Sequence, residues 1–145
     1  MNNQITISCR ISTTDASVPL GVEIWLDDQC VFDQPWVKDS LEWCHDMEDN
    51  DGAHELRWIL KNKTQDHTQV DEHGNIVKDS VISIQDLKFD GIELGHVFVS
   101  NSSYRHDHNG TTDVFDDEFY GVMGCNGTVS LKFTTPIYLW LLENL

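Results

Sequence analysis

Apolar and polar residues alternate along most of this chain, and a period of two is typical of β-strands with one buried face. The pattern recurs in QITISCRIS, LGVEIWL, AHELRWILKN, VISIQDLKF and GTVSLKF, with the shorter candidates CVF, LEWCH, IEL and HVFV between them. The residues predicted to point inward include Ile5, Ile7, Cys9, Ile11, Leu20, Val22, Ile24, Leu26, Leu56, Trp58, Leu60, Val129, Leu131 and Phe133. We therefore predict an all-β fold, an antiparallel β-sandwich of the jelly-roll type, in one domain over residues 1–145.

Two polar stretches interrupt the alternation. Asp27-Asp28-Gln29 follows LGVEIWL and predicts a hairpin with CVF. The longer TQDHTQVDEHGNIVKDS, residues 64–80, carries a turn signal at His73-Gly74-Asn75. Its composition is typical of a loop or of an exposed β-ribbon, and both interpretations stay open.

The closing TTPIYLWLLENL departs from the strand pattern. It predicts either a short helix capped by Thr135 with Pro136 at its first position, or an edge strand that begins at Pro136. The segment either packs on its own sandwich or forms a contact with an oligomer or a partner through Tyr138, Trp140 and Leu142.

The net charge of the chain limits the kinds of partner that we expect it to bind. Of 145 residues, 9 are basic and 25 are acidic, for a net charge of −16. Nucleic acids and anionic membrane surfaces bind clustered lysine and arginine, so we expect neither as a partner. The longest apolar run, IYLWLL, is too short to span a bilayer, and MNNQITISCRIS lacks the regions of a signal peptide. We expect synthesis in a cytosol, where Cys9, Cys30, Cys44 and Cys125 stay reduced.

Catalytic motifs are absent from the sequence. It contains no GxSxG, HExxH, P-loop or dinucleotide fingerprint. Paired carboxylates hydrolyse glycosidic bonds, but in a chain with 25 acids such pairs arise from composition alone. We therefore expect no enzyme activity and keep a carboxylate-dependent glycan hydrolase as a remote alternative.

Two acidic segments supply candidate ligands for calcium, a hard ion that prefers oxygen. In HDMEDNDG, Asp49 and Asp51 are candidates, although Asp51 stands where the EF-hand template needs glycine. The second set is Asp113, Asp116 and Asp117. The alternative is a solvated acidic turn, since unpaired acids normally stay in water. No motif demands a cofactor, and calcium is the one that these residues favour.

The segment YRHDHNGTTDVFDDEFYG, residues 104–121, concentrates histidines, acids and aromatic residues. On a strand, His106 and His108 would share a face and two imidazoles could bind one zinc ion. Asn109-Gly110 signals a turn immediately afterwards, which weakens that interpretation. We interpret the segment as a long connecting loop at one end or edge of the sandwich, where binding residues are common.

Exposed aromatic rings are a third candidate chemistry, because sugar-binding sites combine apolar faces with a few polar groups. The candidates for contact with a ligand or partner are Trp25, Trp36, Tyr104, His106, His108 and Tyr120. Trp25 falls on the outward face of its strand, opposite Ile24 and Leu26. The alternative is that a loop or a second sheet covers it, since large aromatic residues are usually at least partly buried.

The middle third of the chain, DGAHELRWILKNKT followed by VKDSVISIQDLKFDGIEL, resembles the centre of calcium-dependent, xylan-binding carbohydrate-binding modules. The matching residues are Gly52, His54, Leu56, Asn62, Asp79, Ile84, Asp90, Gly91 and Ile92. Most are scaffold positions, so the resemblance implies a jelly-roll sandwich and a glycan-binding role with calcium, and it assigns no ligand residue.

A second resemblance covers nearly the whole chain. LGVEIWLD, HELRWILKNKTQDHT, DEHGNIVKDS, HDHNGT and above all GCNGTVSLKF-TP-YLWLLEN are similar to uncharacterised small proteins of tailed phages of marine cyanobacteria. This likeness implies a phage origin, a place in the virion, and other virion proteins or a second copy as partners. We therefore predict a non-catalytic, virion-associated sandwich, a capsid decoration or a tail or fibre component. The alternative is a carbohydrate-binding module that contacts host-surface glycans.

Overall fold

The computed structural model describes residues 4–64 and 68–144. Its strands are β1 Gln4–Thr13, β2 Gly21–Leu26, β3 Gln29–Gln34, β4 Leu41–Glu48, β5 Gly52–Lys61, β6 Thr68–Val70, β7 Ile76–Asp79, β8 Ile82–Phe89, β9 Ile92–Glu93, β10 Ser102–His106, β11 Phe115–Glu118, β12 Val122–Met123 and β13 Gly127–Thr135. Its helices are α1 His96–Asn101 and α2 Ile137–Asn144.

The strands form two antiparallel sheets packed face to face. Sheet A has the order β12-β8-β1-β4, with β9 beside β8, and sheet B has the order β11-β10-β13-β5-β2-β3. Strands β6 and β7 form a separate ribbon. The prediction of an antiparallel all-β sandwich is confirmed.

A single core lies between the sheets, and the alternation in the sequence locates it. Each of the fourteen side chains from Ile5 to Phe133 that the alternation predicts to point inward is at most 8% exposed. Aromatic rings fill this core: Phe89 of sheet A lies 5.0 Å from Phe133 of sheet B, and Trp58 of sheet B lies 5.0 Å from Phe98 of α1, between ring centroids. Each such fully buried side chain contributes about 1.5–3 kcal/mol of transfer free energy, so the pattern of apolar residues drives the fold.

The segment HVFV, predicted as a strand, forms α1 instead. Gly95 has a φ of 54° and turns the chain, and the N–H groups of Val97 and Phe98 donate to the carbonyls of Leu94 and Gly95. Val97 and Phe98 are both buried. A short apolar run does not distinguish a buried helical turn from a strand, and that explains the error.

The polar stretch after β5 forms an exposed ribbon, β6–β7, over its described part; Gln65, Asp66 and His67 lie outside the described residues. Asp71 closes the ribbon, because its Oδ1 accepts hydrogen bonds from the N–H groups of His73 and Asn75, both at 2.9 Å. Of the two alternatives for this stretch, the structure therefore adopts the ribbon.

Lys63 joins this ribbon to the rest of the sandwich. Its side chain is fully buried, and Nζ donates to Asp79 Oδ1 at 2.6 Å and to the Gly124 carbonyl at 2.5 Å. Thr68 Oγ1 donates to the same Asp79 oxygen at 2.7 Å. The Asp79 carboxylate and the Gly124 carbonyl therefore both contact the buried ammonium of Lys63.

The closing segment forms the helix α2. The helix begins after Pro136, but Thr135 does not cap it: Thr135 ends β13, and Asp49 Oδ1 accepts the N–H of Ile137 at 2.9 Å. Trp140 packs against Phe89 and Phe133 at centroid distances of 6.1 and 6.3 Å. The apolar side chains left on its outer side are Tyr138, Leu139 and Leu142, exposed by 52, 58 and 73%. The predicted packing on the sandwich thus applies to Trp140, whereas Tyr138 and Leu142 face outward.

Across the described residues, no helix combines the length and the apolar character needed to cross a membrane.

Candidate functional site

The turn between β2 and β3 places a carboxylate at one end of the sandwich. Asp27 has a φ of 53°, in the left-handed region that aspartate tolerates better than most side chains. Its Oδ1 accepts the N–H of Glu55 at 2.9 Å, and its Oδ2 lies 2.9 Å from Nδ1 of His54. The start of β5 therefore holds Asp27 in one orientation.

His54 connects Asp27 with the end of β13. Its Nε2 lies 3.2 Å from Thr135 Oγ1, and its ring stacks on Phe133 with centroids 5.4 Å apart. The series carboxylate–imidazole–hydroxyl has the order of a catalytic triad. Thr135 is however only 5% exposed and also lies 3.4 Å from the Gly52 carbonyl. The series therefore fixes Asp27 and ties β5 to β13, and its hydroxyl does not face an incoming substrate.

Two open clefts of about 420 and 500 Å³ adjoin at this end and share Asp27 and His54. We call their union the Asp27 cleft, and its lining residues are Leu26, Asp27, Asp28, Gln29, Met47, Glu48, Asn50, Ala53, His54, Glu55, Lys132, Phe133, Thr134 and Trp140. Carboxylate and amide groups border apolar surface in this cleft. Such a combination suits a ligand with many hydroxyl groups and a partly apolar ring.

Trp25 lies next to this cleft on the outer face of sheet B. Its Nε1 donates to Glu23 Oε1 at 3.1 Å, and the Arg57 guanidinium lies over its ring, 5.7 Å from the centroid. Arg57 in turn donates to the Asp27 carbonyl at 3.0 Å and pairs with Glu55 at 3.3 Å. The predicted outward orientation of Trp25 is observed, and Arg57 makes the indole continuous with the Asp27 cleft.

Trp36 lies far from this surface. The N–H of Val37 donates to the carbonyl of Leu20, the residue before β2. Trp36 therefore lies near the start of β2, whereas Asp27 follows its end. Its indole donates to the Ala16 carbonyl at 3.0 Å, with Lys38 Nζ 4.4 Å from the ring centroid. The structure therefore does not bring Trp36 and Trp25 together.

The segment 104–121 is a hairpin of β10 and β11 and not one long loop. Tyr104 and His106 belong to β10 and are each 5% exposed, so the expectation that they are free to touch a partner is wrong. Both side chains point toward the interior of the sandwich. Burial raises the pKa of Tyr104 well above its usual value. His108, in the turn, is exposed, and Tyr120 is 72% exposed after β11.

The five acidic residues predicted as calcium ligands lie in separate surroundings. Asp49 caps α2, Asp116 pairs with Arg105 at 3.2 Å, and Asp117 lies 3.0 Å from His106. Asp116 and Asp117 are adjacent on β11 and point to opposite sides of the sheet. Asp51 and Asp113 are exposed. Over the residues that the structure describes, no three of these carboxylates converge on one point.

Comparison with known proteins supports the fold. No family model matches the sequence, and no curated protein matches it. The structure is similar to that of vCBM60 in its selenomethionine form, with a TM-score of 0.55 and 12% sequence identity over 88% of this chain and 89% of that one. That structure is described with a circular permutation that links two families of calcium-dependent carbohydrate-binding modules. The complex of vCBM60 with galactobiose has a TM-score of 0.51 at 12% identity, over 87% and 96%.

At this identity the likeness concerns the fold alone, and the chain is a β-sandwich similar to carbohydrate-binding modules. The resemblance to these modules in the middle of the sequence is supported. The similarity to phage proteins finds no support in these comparisons.

The main features of the Asp27 cleft were not predicted from the sequence. His54 appeared only as a scaffold position of the resemblance, and Asp27 only as part of a turn. The signal that would have found them is the hairpin itself, since the predicted β2–β3 turn brings Asp27 to the end of the sheet at which β5 begins.

Proposed function

We propose that this chain is a non-catalytic carbohydrate-binding module, and that its glycan lies across the Asp27 cleft and the adjoining indole of Trp25. The supporting observation is the continuity of the two features through Arg57, which touches Trp25 on one side and the Asp27 carbonyl on the other. The sandwich itself is similar to that of vCBM60, which binds galactobiose.

The chemistry of this surface suits a sugar. An indole offers an apolar face for the C–H side of a pyranose ring, and carboxylates accept hydrogen bonds from its hydroxyls. Asp27, Asp28 and Glu48 supply acceptors, and Lys132 supplies a donor.

Calcium is not part of this proposal. The neighbouring structures belong to calcium-dependent modules, but the predicted ligands here do not fit one ion: Asp49, Asp116 and Asp117 are engaged elsewhere. Any calcium dependence would have to use other oxygen groups, and comparison of binding with calcium and with EDTA measures it directly.

A glycan array tests the proposal. The wild type, Trp25→Ala and Tyr120→Ala are compared with calcium and with EDTA. Tyr120 is the matched control, because it is an exposed aromatic side chain at the predicted alternative surface on the β10–β11 side. We expect the wild type to bind at least one glycan both with calcium and with EDTA. Tyr120→Ala should still bind that glycan, and Trp25→Ala should not. Absence of binding to every glycan in both conditions would contradict the proposal.

A virion-associated role remains a separate prediction. The observation that favours docking is the exposed side of α2, formed by Tyr138, Leu139 and Leu142. Mass spectrometry of purified phage particles tests it, and absence of the protein from the particles would refute it. A particle protein that also binds glycans satisfies both proposals.

A further inference from the structure

Two histidines and a cysteine converge beside the β10–β11 hairpin, away from the Asp27 cleft. One ring nitrogen from His106, one from His108 and the sulfur of Cys125 all lie within 4.8 Å of one another, the only such trio among the described residues. The alternation expected on a single strand does not produce this arrangement. His106 ends β10, His108 lies in the following turn, and Cys125 precedes β13.

The turn folds His108 back over His106. His108, Asn109 and Gly110 have φ values of 50°, 58° and 87°, three consecutive left-handed residues. The Asp107 carbonyl accepts the N–H groups of Gly110, Thr111 and Thr112 and closes the turn. As a result, the two imidazole rings lie 4.7 Å apart between centroids.

Hydrogen bonds bring Cys125 to the same place. Tyr104 Oη accepts the N–H of Cys125 at 2.8 Å and donates to its carbonyl. Asn109 Oδ1 accepts the N–H of Asn126 at 2.9 Å. A Cβ on Gly127 would clash with the Arg105 carbonyl and lie 2.8 Å from His106 Cβ, so glycine permits the close approach of the two segments.

The hydrogen bonds of His106 determine its tautomer. Nδ1 accepts the N–H of His108 at 3.1 Å, so the proton is on Nε2, which donates to Asp117 Oδ2 at 3.0 Å. In metal sites, a histidine ligand commonly donates its N–H to a carboxylate, and its other ring nitrogen keeps a lone pair for the metal. His106 has this arrangement. The imidazole side chain is 3% exposed, and Phe115 lies 4.8 Å from its ring and 5.1 Å from that of His108.

We propose that His106, His108 and Cys125 form a binding site for a divalent ion of the zinc type. Imidazole nitrogen and thiolate sulfur are zinc ligands and are not calcium ligands. On binding, Nδ1 of His106 loses the hydrogen bond from the His108 N–H and donates its lone pair to the metal instead. His108 donates a lone pair from one ring nitrogen. The Cys125 thiol releases its proton to solvent and binds as the thiolate. Three protein ligands leave the fourth position of a tetrahedral ion open to water. Asp117 is a positioning residue, since it acts through His106.

Cobalt(II) tests the site, because a thiolate ligand gives it a charge-transfer absorption band. The full chain is first freed of metal with a chelator and then titrated with Co²⁺ and, in competition, with Zn²⁺. We expect the band in the wild type and its disappearance as zinc displaces cobalt. Cys125→Ser should lose the band, and the matched control Cys30→Ser, an exposed cysteine on β3, should keep it.

The histidine and aspartate variants separate ligands from their support. We expect His108→Ala to weaken cobalt binding by more than about tenfold, and Asp117→Asn by about ten- to a hundredfold with the band still present. Circular dichroism confirms that each variant is folded. A wild type without the band, or a Cys125→Ser variant that keeps it, would overturn the proposal.

A second readout needs no variant. Alkylation of the native wild type, analysed by mass spectrometry for each cysteine, should be slowed by zinc at Cys125. It should be unchanged at Cys30 and Cys44, which are exposed and lie on β3 and β4, strands that do not pair with β10, β11 or β13. Equal alkylation of Cys125 with and without zinc would also overturn the proposal.

Discussion

The reactivity of each thiol in this chain depends on its burial. Cys9 lies in the core at 3% exposure, and burial raises the pKa of its thiol to about 12, with a smaller opposing effect of the Trp58 indole. The thiolate is the reactive form, so Cys9 stays inert near neutral pH. At pH 8, we expect iodoacetamide to modify Cys30 and Cys44 in the native protein and to reach Cys9 only after unfolding. Peptide mass spectrometry checks this, and fast native modification of Cys9 would contradict the burial of β1.

Asp71 gives a prediction for the dependence on pH. The N–H groups of Asn75 and His73, that of Asn75 first, lower the pKa of its carboxyl below the usual value. A lowered pKa in the folded chain means that ionised Asp71 stabilises the ribbon above the usual aspartate pKa and that this contribution is lost as the pH falls through the lowered one. The amide NMR shifts of His73 and Asn75 should therefore titrate with a midpoint below about 3.9. A higher midpoint, or the same titration in Asp71→Asn, would contradict these hydrogen bonds.

For single residues, the sequence predicted which way a side chain points better than it predicted which contacts that side chain makes. The outward face of Trp25 followed from its alternation with Ile24 and Leu26 and is observed. The same logic places Tyr104 and His106 together on the inward face of β10, but their position within an apparent loop concealed the strand. Roles such as the capping of α2 by Asp49 depend on contacts 88 residues apart, which periodicity does not report.

The outer and inner sides of α2 differ sharply in exposure. Trp140 is 6% exposed and packs on Phe89 and Phe133, whereas Leu142 is 73% exposed. We expect Trp140→Ala to lower the free energy of unfolding by about 3–5 kcal/mol, and Leu142→Ala to change it by less than about 0.5 kcal/mol. Urea denaturation measures both, and similar costs for the two variants would show that α2 packs differently.

Lys63 tests how the ribbon is attached to the sandwich. Lys63→Met removes the cation beside Asp79, and we expect a loss of about 2–4 kcal/mol, at or below the range for breaking a buried ion pair, because Asp79 is 29% exposed. Adding Asp79→Asn to Lys63→Met should recover part of this loss, since no unpaired carboxylate then remains beside the apolar side chain. Additive costs in this double-mutant cycle would mean that the pair does not interact.

The elements were predictable where a strand is long and has one buried face, as in β1, β5 and β13. They were less predictable where an apolar run is short, as in HVFV, or where a helix cap comes from a distant loop. The alternative of a ribbon or a loop after β5 could not be decided from composition, because Lys63 and Asp79, which hold the ribbon in place, become neighbours only in the folded chain.

For the whole molecule, topology creates both candidate sites. Strand order in sheet B brings Asp27, His54 and Thr135 to one end, although they lie far apart in sequence. The same order places Cys125 beside the hairpin of His106 and His108. The fold class was predicted from the sequence. His106 and His108 were candidates for contact with a ligand or partner, and the turn signal at Asn109-Gly110 weakened their interpretation as a zinc pair. A third ligand, and a cleft shared by three strands, could not be read from local patterns.

The central claim is that the surface from Trp25 to the Asp27 cleft binds a glycan. The most direct measurement is isothermal titration calorimetry of the best glycan from the array into the wild type, Trp25→Ala and Tyr120→Ala. We expect Trp25→Ala to weaken binding by more than about tenfold, which is 1.4 kcal/mol, and Tyr120→Ala to leave it unchanged. Unchanged affinity in Trp25→Ala, or loss of affinity in Tyr120→Ala alone, would contradict the assignment of the site.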